Sequence, residues 1–444
     1  MKVANYRQLV LLGIALEIIL LGMLYLGDLR QAIPSFLVLY FSAFFIYLAT
    51  IRTVCFTPGT RLNPVPLILG FALLFRFTLF LAEPGLSDDI FRYVWDGKIL
   101  NAGINPYQFA PGAQELSPYR DALYGPINHK DIGTPYGPLT IIVFALAQQV
   151  ANSVYALKVP FILFDCMSIL LLLHMLKAAG LPRHNVLHYA WNPLVLVEVS
   201  GSGHNDSLAV FLLLGALFLF QRNKAWLGTL GICMAFTAKY FAILFLPAVW
   251  TRMRKHAWIV VPLMLLLLFA PFYSGIENHL NSLMNVGSRW RFNDSIFSVL
   301  YTLTGTLTVS KALVTTLFIV LAITMYRTQL ALLKSAMILI GAALLLTTTL
   351  QPWYLLWMVP FLCFYPNRAW ILLTGLIMLS YHVLIRYAED GIWVESLWIK
   401  ATIYTPFYGL LLADGWRAWQ SRRTKSRRFR RADGAPSRRS GLKS

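Results

Sequence analysis

Apolar runs of about twenty residues recur along most of this chain, and they constrain its fold more than any other feature. Such a run is long enough to cross a hydrocarbon layer roughly 30 Å thick as a helix, the form in which a single segment satisfies its own backbone polar groups. Candidate spans lie at about 8–26, 33–51, 65–82, 155–176, 186–200, 207–221, 257–273, 311–326, 335–350, 353–365, 369–387 and 397–416. Charged residues make up only 13% of the 444, against about 25% in soluble domains. The mean hydropathy is +0.62. The expected fold is therefore an all-α polytopic membrane protein. The first run, Leu9 to Leu26, lacks a small-residue cleavage site and reads as a span rather than a secretory leader.

The net charge of +19 is unevenly spread. Arg417 to Ser444 holds eleven Lys/Arg against one Asp, which is ten of the nineteen units. This basic, Gly/Ser/Pro-bearing terminus (417–444) is expected to be a disordered cytoplasmic tail drawn to anionic headgroups, following a single membrane domain over 1–416. No folded basic surface suggests nucleic acid. Cys55, Cys166, Cys233 and Cys363 have no metal-ligand spacing and read as small buried apolar residues.

Lys and Arg favour cytoplasmic ends of spans. With Lys2/Arg7 and Arg52/Arg61 inside, the third span exits and a loop over 83–138 faces the outer side. The run Leu139 to Val150, with Gln148 and Gln149, is too short to cross, so 137–151 is expected to be a juxtamembrane or re-entrant helix. Ala225 to Trp250 carries Lys239 at its midpoint and is expected to form a hairpin of two short helices, its Lys-bearing tip outward. About twelve to fourteen spans result, with the tail inside.

Polarity concentrates in the outer loop, in SDDIFRYVWDGKILNAGINPYQFAP from Ser87 to Pro111. At about 100° per residue, Asp89, Arg92, Tyr93 and Asp96 share one helix face, and Ile90, Phe91, Val94 and Trp95 the other. The pattern predicts an interfacial helix, its aromatic side in the headgroup boundary and its charged side turned away. Capping by Ser87 and dipole compensation by Asp88/Asp89 also explain those acids. Other polar groups fall at the same side: His204, Asn205 and Asp206 in GSGHNDSL, Arg289, Arg291 and Asp294 in SRWRFNDS, and Gln351, Trp353 and Tyr354 in QPWYLLW. Individually these read as turn, cap and aromatic belt. Lys239 within an apolar hairpin is costly unless it is paired or functional. Together they suit an anionic lipid-linked substrate, with cations on a phosphate and a carboxylate as general base.

The ordered series SDDIFRY, WDG, GINPY, YGPLT, NPLVLVEVSGSGHNDSL and QPWYLLW, over roughly 85–415, resembles bacterial polyprenol-phosphate-mannose-dependent mannosyltransferases. These belong to the GT-C superfamily of membrane glycosyltransferases and are distantly similar to the catalytic subunit of GPI mannosyltransferase I. The resemblance implies an outer-facing site beneath the first large loop. It implies a catalytic base at Asp89, or else Asp88, and maps the GHND element onto Gly203 to Asp206; Arg92, Tyr93, Asp96 and Tyr136 are further candidates for binding substrate. Arg92, Lys239 or Arg289/Arg291 would neutralise a departing phosphate. A divalent metal is optional, and none is expected to be essential. The implied partners are a polyprenyl-phosphate sugar and a lipid or glycan acceptor. A transporter or flippase is the competing reading, disfavoured because the halves show no repeat and the charge lies in outer loops rather than at the midplane.

Overall fold

A computed structural model describes residues 2–55, 63–328 and 330–433. Its regular elements are helices; the one β pairing among the described residues is a parallel bridge between Phe292 and Thr349. Helices α1 (Lys2–Tyr25), α2 (Ile33–Cys55) and α3 (Val65–Phe80) come first. The loop that follows carries α4 (Asp89–Asn101), and α5 (Pro138–Val150) closes it. Then come α6 (Val154–Ala178), α7 (Asp206–Gln221) and α8 (Ala225–Ala238).

Six helices among the described residues are long and apolar enough to cross a membrane, or seven if a pair bent by 120° counts as one span. Val65–Phe80, Pro138–Val150, Ala225–Ala238 and Leu332–Leu346 are shorter apolar helices. Two of the candidate spans are not continuous helices. Between 186 and 200, Asn192 caps Leu194 (3.0 Å), Pro193 restarts the chain, and Leu196–Gly201 winds as a π-helix before the bend. Between 352 and 365, Pro352–Trp357 is a 3-10 turn and Val359–Leu362 a single α turn. Proline at the first position of each piece explains both breaks, because it removes the donor that would continue the preceding helix.

The Ala225–Trp250 run does break at Lys239, whose backbone is extended. The long helix Leu246–Phe269 follows. If straight it would be about 36 Å long. Its flanks nonetheless meet, since the Tyr240 hydroxyl lies 2.5 Å from His279 Nε2, so the path doubles back between them. At the C-terminus, one helix runs from Leu397 to Asp433. The basic segment therefore continues a helix as far as 433, where disorder was expected; Lys and Arg are good helix formers.

Two features of packing position the site. First, α4 does not lie with one face in lipid and the other in water. Gly97 lets it meet α5 closely, since a Cβ there would sit 2.7 Å from the Phe144 carbonyl. Trp95 and Ile99 pack with Leu116 and Ile127 of the loop, joined by Phe91 and Tyr124. The polar face is buried as well, Arg92 at 4% exposure and Asp96 at 2%. The expectation of an interfacial helix is thus corrected: the loop builds its own small core over the aromatic face.

Second, α3, α6 and the Leu187–Ala190 turn are joined by a buried ion pair, Arg76 Nε to Asp165 Oδ2 at 2.5 Å. Arg76 also donates to the carbonyls of Ala72 (3.0 Å) and Ala190 (2.9 Å). Asp165→Asn leaves that guanidinium without its counter-charge and is expected to cost about 3–5 kcal/mol. A thermal-unfolding series in detergent checks this. The double change Arg76→Met with Asp165→Leu should recover most of the loss, because it removes both charges together.

Candidate active site

Ser87 starts α4, its hydroxyl accepting from the Asp89 amide at 3.3 Å. The two adjacent acids then part. Asp88 pairs with Arg30 from the α1–α2 connection, and the Arg30 Nε donates to the Gly85 carbonyl at 3.1 Å. Asp88 therefore anchors the loop to the first helices. Asp89 points the other way, towards His204 and Lys239, with the Asn128 amide beside it. Burial holds its carboxyl above the usual carboxylate range, against the opposing pull of His204 and Lys239.

One turn further on, Arg92 Nε and Asp96 Oδ1 pair at 2.9 Å. Burial also raises the Asp96 carboxyl, with Arg92 and then Thr134 opposing. Tyr93 stacks on Phe144 at 4.6 Å and meets the Tyr136 ring edge-on at 5.0 Å. Tyr136 in turn bears on Asp89, Arg92 and Asp96. The YGPLT segment thus delivers Tyr136 to the inner face of α4.

The bend before α7 supplies the opposite wall. Gly203 adopts φ +75, and a Cβ there would lie 2.5 Å from Ile90 Cδ1, so the turn is pressed against the start of α4. His204 stacks on Trp353 with centroids 3.9 Å apart. Asp206, fully buried, accepts from Lys239 Nζ at 2.6 Å and from the Trp357 indole at 2.5 Å. Lys239 also donates to Asn205 Oδ1 at 3.3 Å and sits over the rings of Tyr354 (5.6 Å) and Trp357 (5.7 Å). The buried cation is therefore paired, and Asp206 with two aromatics orients it. Several buried polar atoms here use no hydrogen-bond partner among the described residues: Arg92 Nη2, Asp96 Oδ2, His204 Nδ1 and Asn205 Nδ2. Unused buried donors and acceptors are costly without a ligand to meet them.

Asp89, Arg92, Tyr93, Asp96, Tyr136, His204, Asn205, Asp206, Lys239, Trp353 and Tyr354 thus converge. Gln351 accepts from the Tyr354 amide at 3.0 Å and starts the turn that bears the aromatics. Arg291 is engaged locally: its Nε and Nη2 both donate to the single oxygen Asp294 Oδ2 (3.0 and 2.7 Å), and it lies over the Tyr301 ring at 4.3 Å. The Arg289 side chain lies outside the described residues. Among the described residues, no three His, Cys, Asp or Glu side chains gather as a metal-ligating group. Sequence reasoning passed over Trp357, the last residue of QPWYLLW, and Asn128. It also passed over Glu198, an acid inside an otherwise apolar run that could have been flagged on that ground alone.

Comparisons with known proteins bear on this half of the chain. The chain is 28% identical over 190 residues to Alpha-(1->6)-mannopyranosyltransferase A of Corynebacterium glutamicum, which is 40% of this chain and 37% of that protein. It is 30% identical over 185 residues to the Mycobacterium tuberculosis protein of the same name, 40% and 35% respectively. The chain spans just over a third of the length of these curated relatives. No solved structure matches it. A family model described as "Alpha-(1->6)-mannopyranosyltransferase, N-terminal domain" matches residues 17–255, more than half of the chain and the part that holds Asp89, His204, Asp206 and Lys239. The chain belongs to that family.

Proposed function

We propose that the protein transfers a mannosyl residue from a polyprenyl-phosphate-linked donor to a hydroxyl of a glycan or glycolipid, at the outer face of a bacterial cytoplasmic membrane. The observation that carries this reading is one partly buried carboxylate, Asp89, set against His204 and an oriented Lys239 beneath a folded loop. Family membership supports the sugar, and the names of the relatives suggest an α-(1→6) linkage.

In the proposed step, Asp89 takes the proton of the acceptor hydroxyl as that oxygen attacks C1 of the sugar. The C1–O bond to phosphate breaks, and its electron pair leaves with the polyprenyl phosphate. Lys239 or Arg92 would stabilise the charge that develops there. A single displacement inverts the anomeric centre. Tyr93 and Tyr136 would flank the sugar. Because phosphate is already a good leaving group, a divalent metal is not required, and transfer should survive a chelator.

The pH dependence follows from Asp89. A base must be ionised, and burial places this carboxyl above its ordinary range. Transfer should therefore fall as pH is lowered through that elevated value, at a higher pH than an exposed aspartate would give.

Purified protein in liposomes, supplied with sugar-labelled polyprenyl-phosphate mannose or with nucleotide-linked mannose, tests the reading. Label should enter an added glycolipid acceptor from the polyprenyl donor alone. Transfer from the nucleotide sugar, or label crossing the bilayer without a new glycosidic bond, would replace it with another function.

A further inference from the structure

Lys239 sits at a break in the chain, its backbone extended at φ −152 and ψ 126. Successive side chains of extended backbone point to opposite sides. Lys239 turns to Asp206 at 2.6 Å, and Tyr240 turns the other way, its hydroxyl 2.5 Å from His279 Nε2. His279 belongs to the helix Ile276–Arg289 and is only 1% exposed, yet the proposed chemistry does not use it. Its Nδ1 lies 2.9 Å from the Thr134 carbonyl oxygen, and its ring stacks on Tyr107 with centroids 4.0 Å apart. Tyr107 donates its own hydroxyl to the Tyr136 carbonyl at 2.9 Å.

The helix is docked closely enough for one ring to reach all of these. A Cβ on Gly275, just before the helix, would lie 2.5 Å from Tyr107 Cβ. A Cβ on Gly133, beside Thr134, would lie 2.6 Å from Ser282 Oγ. Asn278 donates to the Gln108 carbonyl at 2.9 Å. Chemistry then assigns the donors. A carbonyl oxygen only accepts, so the imidazole proton is on Nδ1. The neutral ring keeps a lone pair at Nε2, which accepts from the Tyr240 hydroxyl.

We propose that His279 is a positioning residue: a neutral imidazole, protonated on Nδ1, that ties Tyr240 to the Thr134–Tyr136 segment and so aims Lys239 into the pocket. This rests on the reading of Lys239 as a group that meets the departing phosphate. A lysine stem has many rotamers to lose. Asp206 fixes where its head ends, and the Tyr240 anchor fixes where its stem begins.

Tyr240→Phe removes one hydroxyl and keeps the ring. It should lower kcat about tenfold and leave the KM for the polyprenyl donor unchanged, because the interaction it loosens is made in the transition state. His279→Asn, whose amide reaches Thr134 but not Tyr240, should match it. His279→Gln, whose amide oxygen stands where Nε2 stood, should recover most of the rate. A merely structural histidine would give no such order. With Lys239→Met and Asp206→Asn already in place, neither Tyr240→Phe nor His279→Asn should lower the rate further, since the lysine they aim is gone. A further tenfold loss there would overturn the inference. Should His279→Asn fail to fold, Tyr240→Phe carries the same comparison.

A second readout needs no turnover. In protein labelled with 15N-histidine, the ring signals that disappear in His279→Gln are those of His279. They should show the proton on Nδ1, and the bare Nε2 signal should shift in Tyr240→Phe. A proton on Nε2, or an Nε2 signal unmoved by Tyr240→Phe, overturns the inference even if transfer is confirmed. The expected signals with no transfer from the polyprenyl donor would sustain the anchor and reject the assigned reaction instead.

Discussion

Asp89→Asn is expected to reduce transfer by about a thousandfold or more, since removing a general base commonly costs 10²–10⁴. The protein should not unfold. Burial raises this carboxyl's pKa, so the folded state binds its proton more tightly than the unfolded chain does. Above that elevated value the ionised group opposes folding, and the opposition disappears as pH falls through it. Neutral asparagine removes the penalty, so Asp89→Asn should melt at the same temperature as the parent or slightly higher at neutral pH. Asp88→Asn should behave in the opposite way. It breaks the contact with Arg30 that ties the loop to the α1–α2 connection, so it should retain most of the transfer rate and lose some stability. Initial rates with a labelled polyprenyl donor, measured beside melting curves, separate the two acids. Equal losses of rate in both variants would contradict the division of roles.

Lys239→Met is the second large effect, on the order of 10²–10³ in kcat, the scale of losing one group that stabilises developing charge. By itself the variant is confounded. It leaves Asp206 fully buried with the Trp357 indole as its remaining side-chain donor, and breaking such a pair destabilises strongly. The double variant Lys239→Met with Asp206→Asn removes both charges. It should regain most of the melting temperature while the transfer rate stays low. If the double variant recovers rate as well, the lysine serves packing rather than the departing phosphate.

Much of this was legible in the sequence, for physical reasons. Length and apolarity alone mark helices that cross a bilayer, and the six long helices obey that rule. The convergence of Asp89, His204, Asp206 and Lys239 was legible because ionisable residues are rare in such a chain and costly there unless they are paired or functional. The surroundings of α4 were not legible. Its two faces follow from a 100° period, but what covers them does not. Leu116, Ile127 and Tyr124 come from irregular loop with no period to read. Arg291 shows a related gap: its charge invited a phosphate role, while Asp294, three residues on, satisfies it locally. The breaks at Asn192–Pro193 and at Pro352 were visible as residues, but a span count made from apolar runs ignored them. Glu198 was hidden by its apolar neighbours, and only the π-turn brings it to His204.

The central claim is that the Asp89 pocket opens to the outer leaflet, where the headgroup of a lipid-linked sugar arrives. The loop above the pocket exposes Ala122. In a chain with its native cysteines replaced, Ala122→Cys should react with a membrane-impermeant maleimide applied to intact spheroplasts and stay unlabelled in sealed inverted vesicles. Labelling in the inverted vesicles alone would put the pocket on the cytoplasmic side and contradict the account.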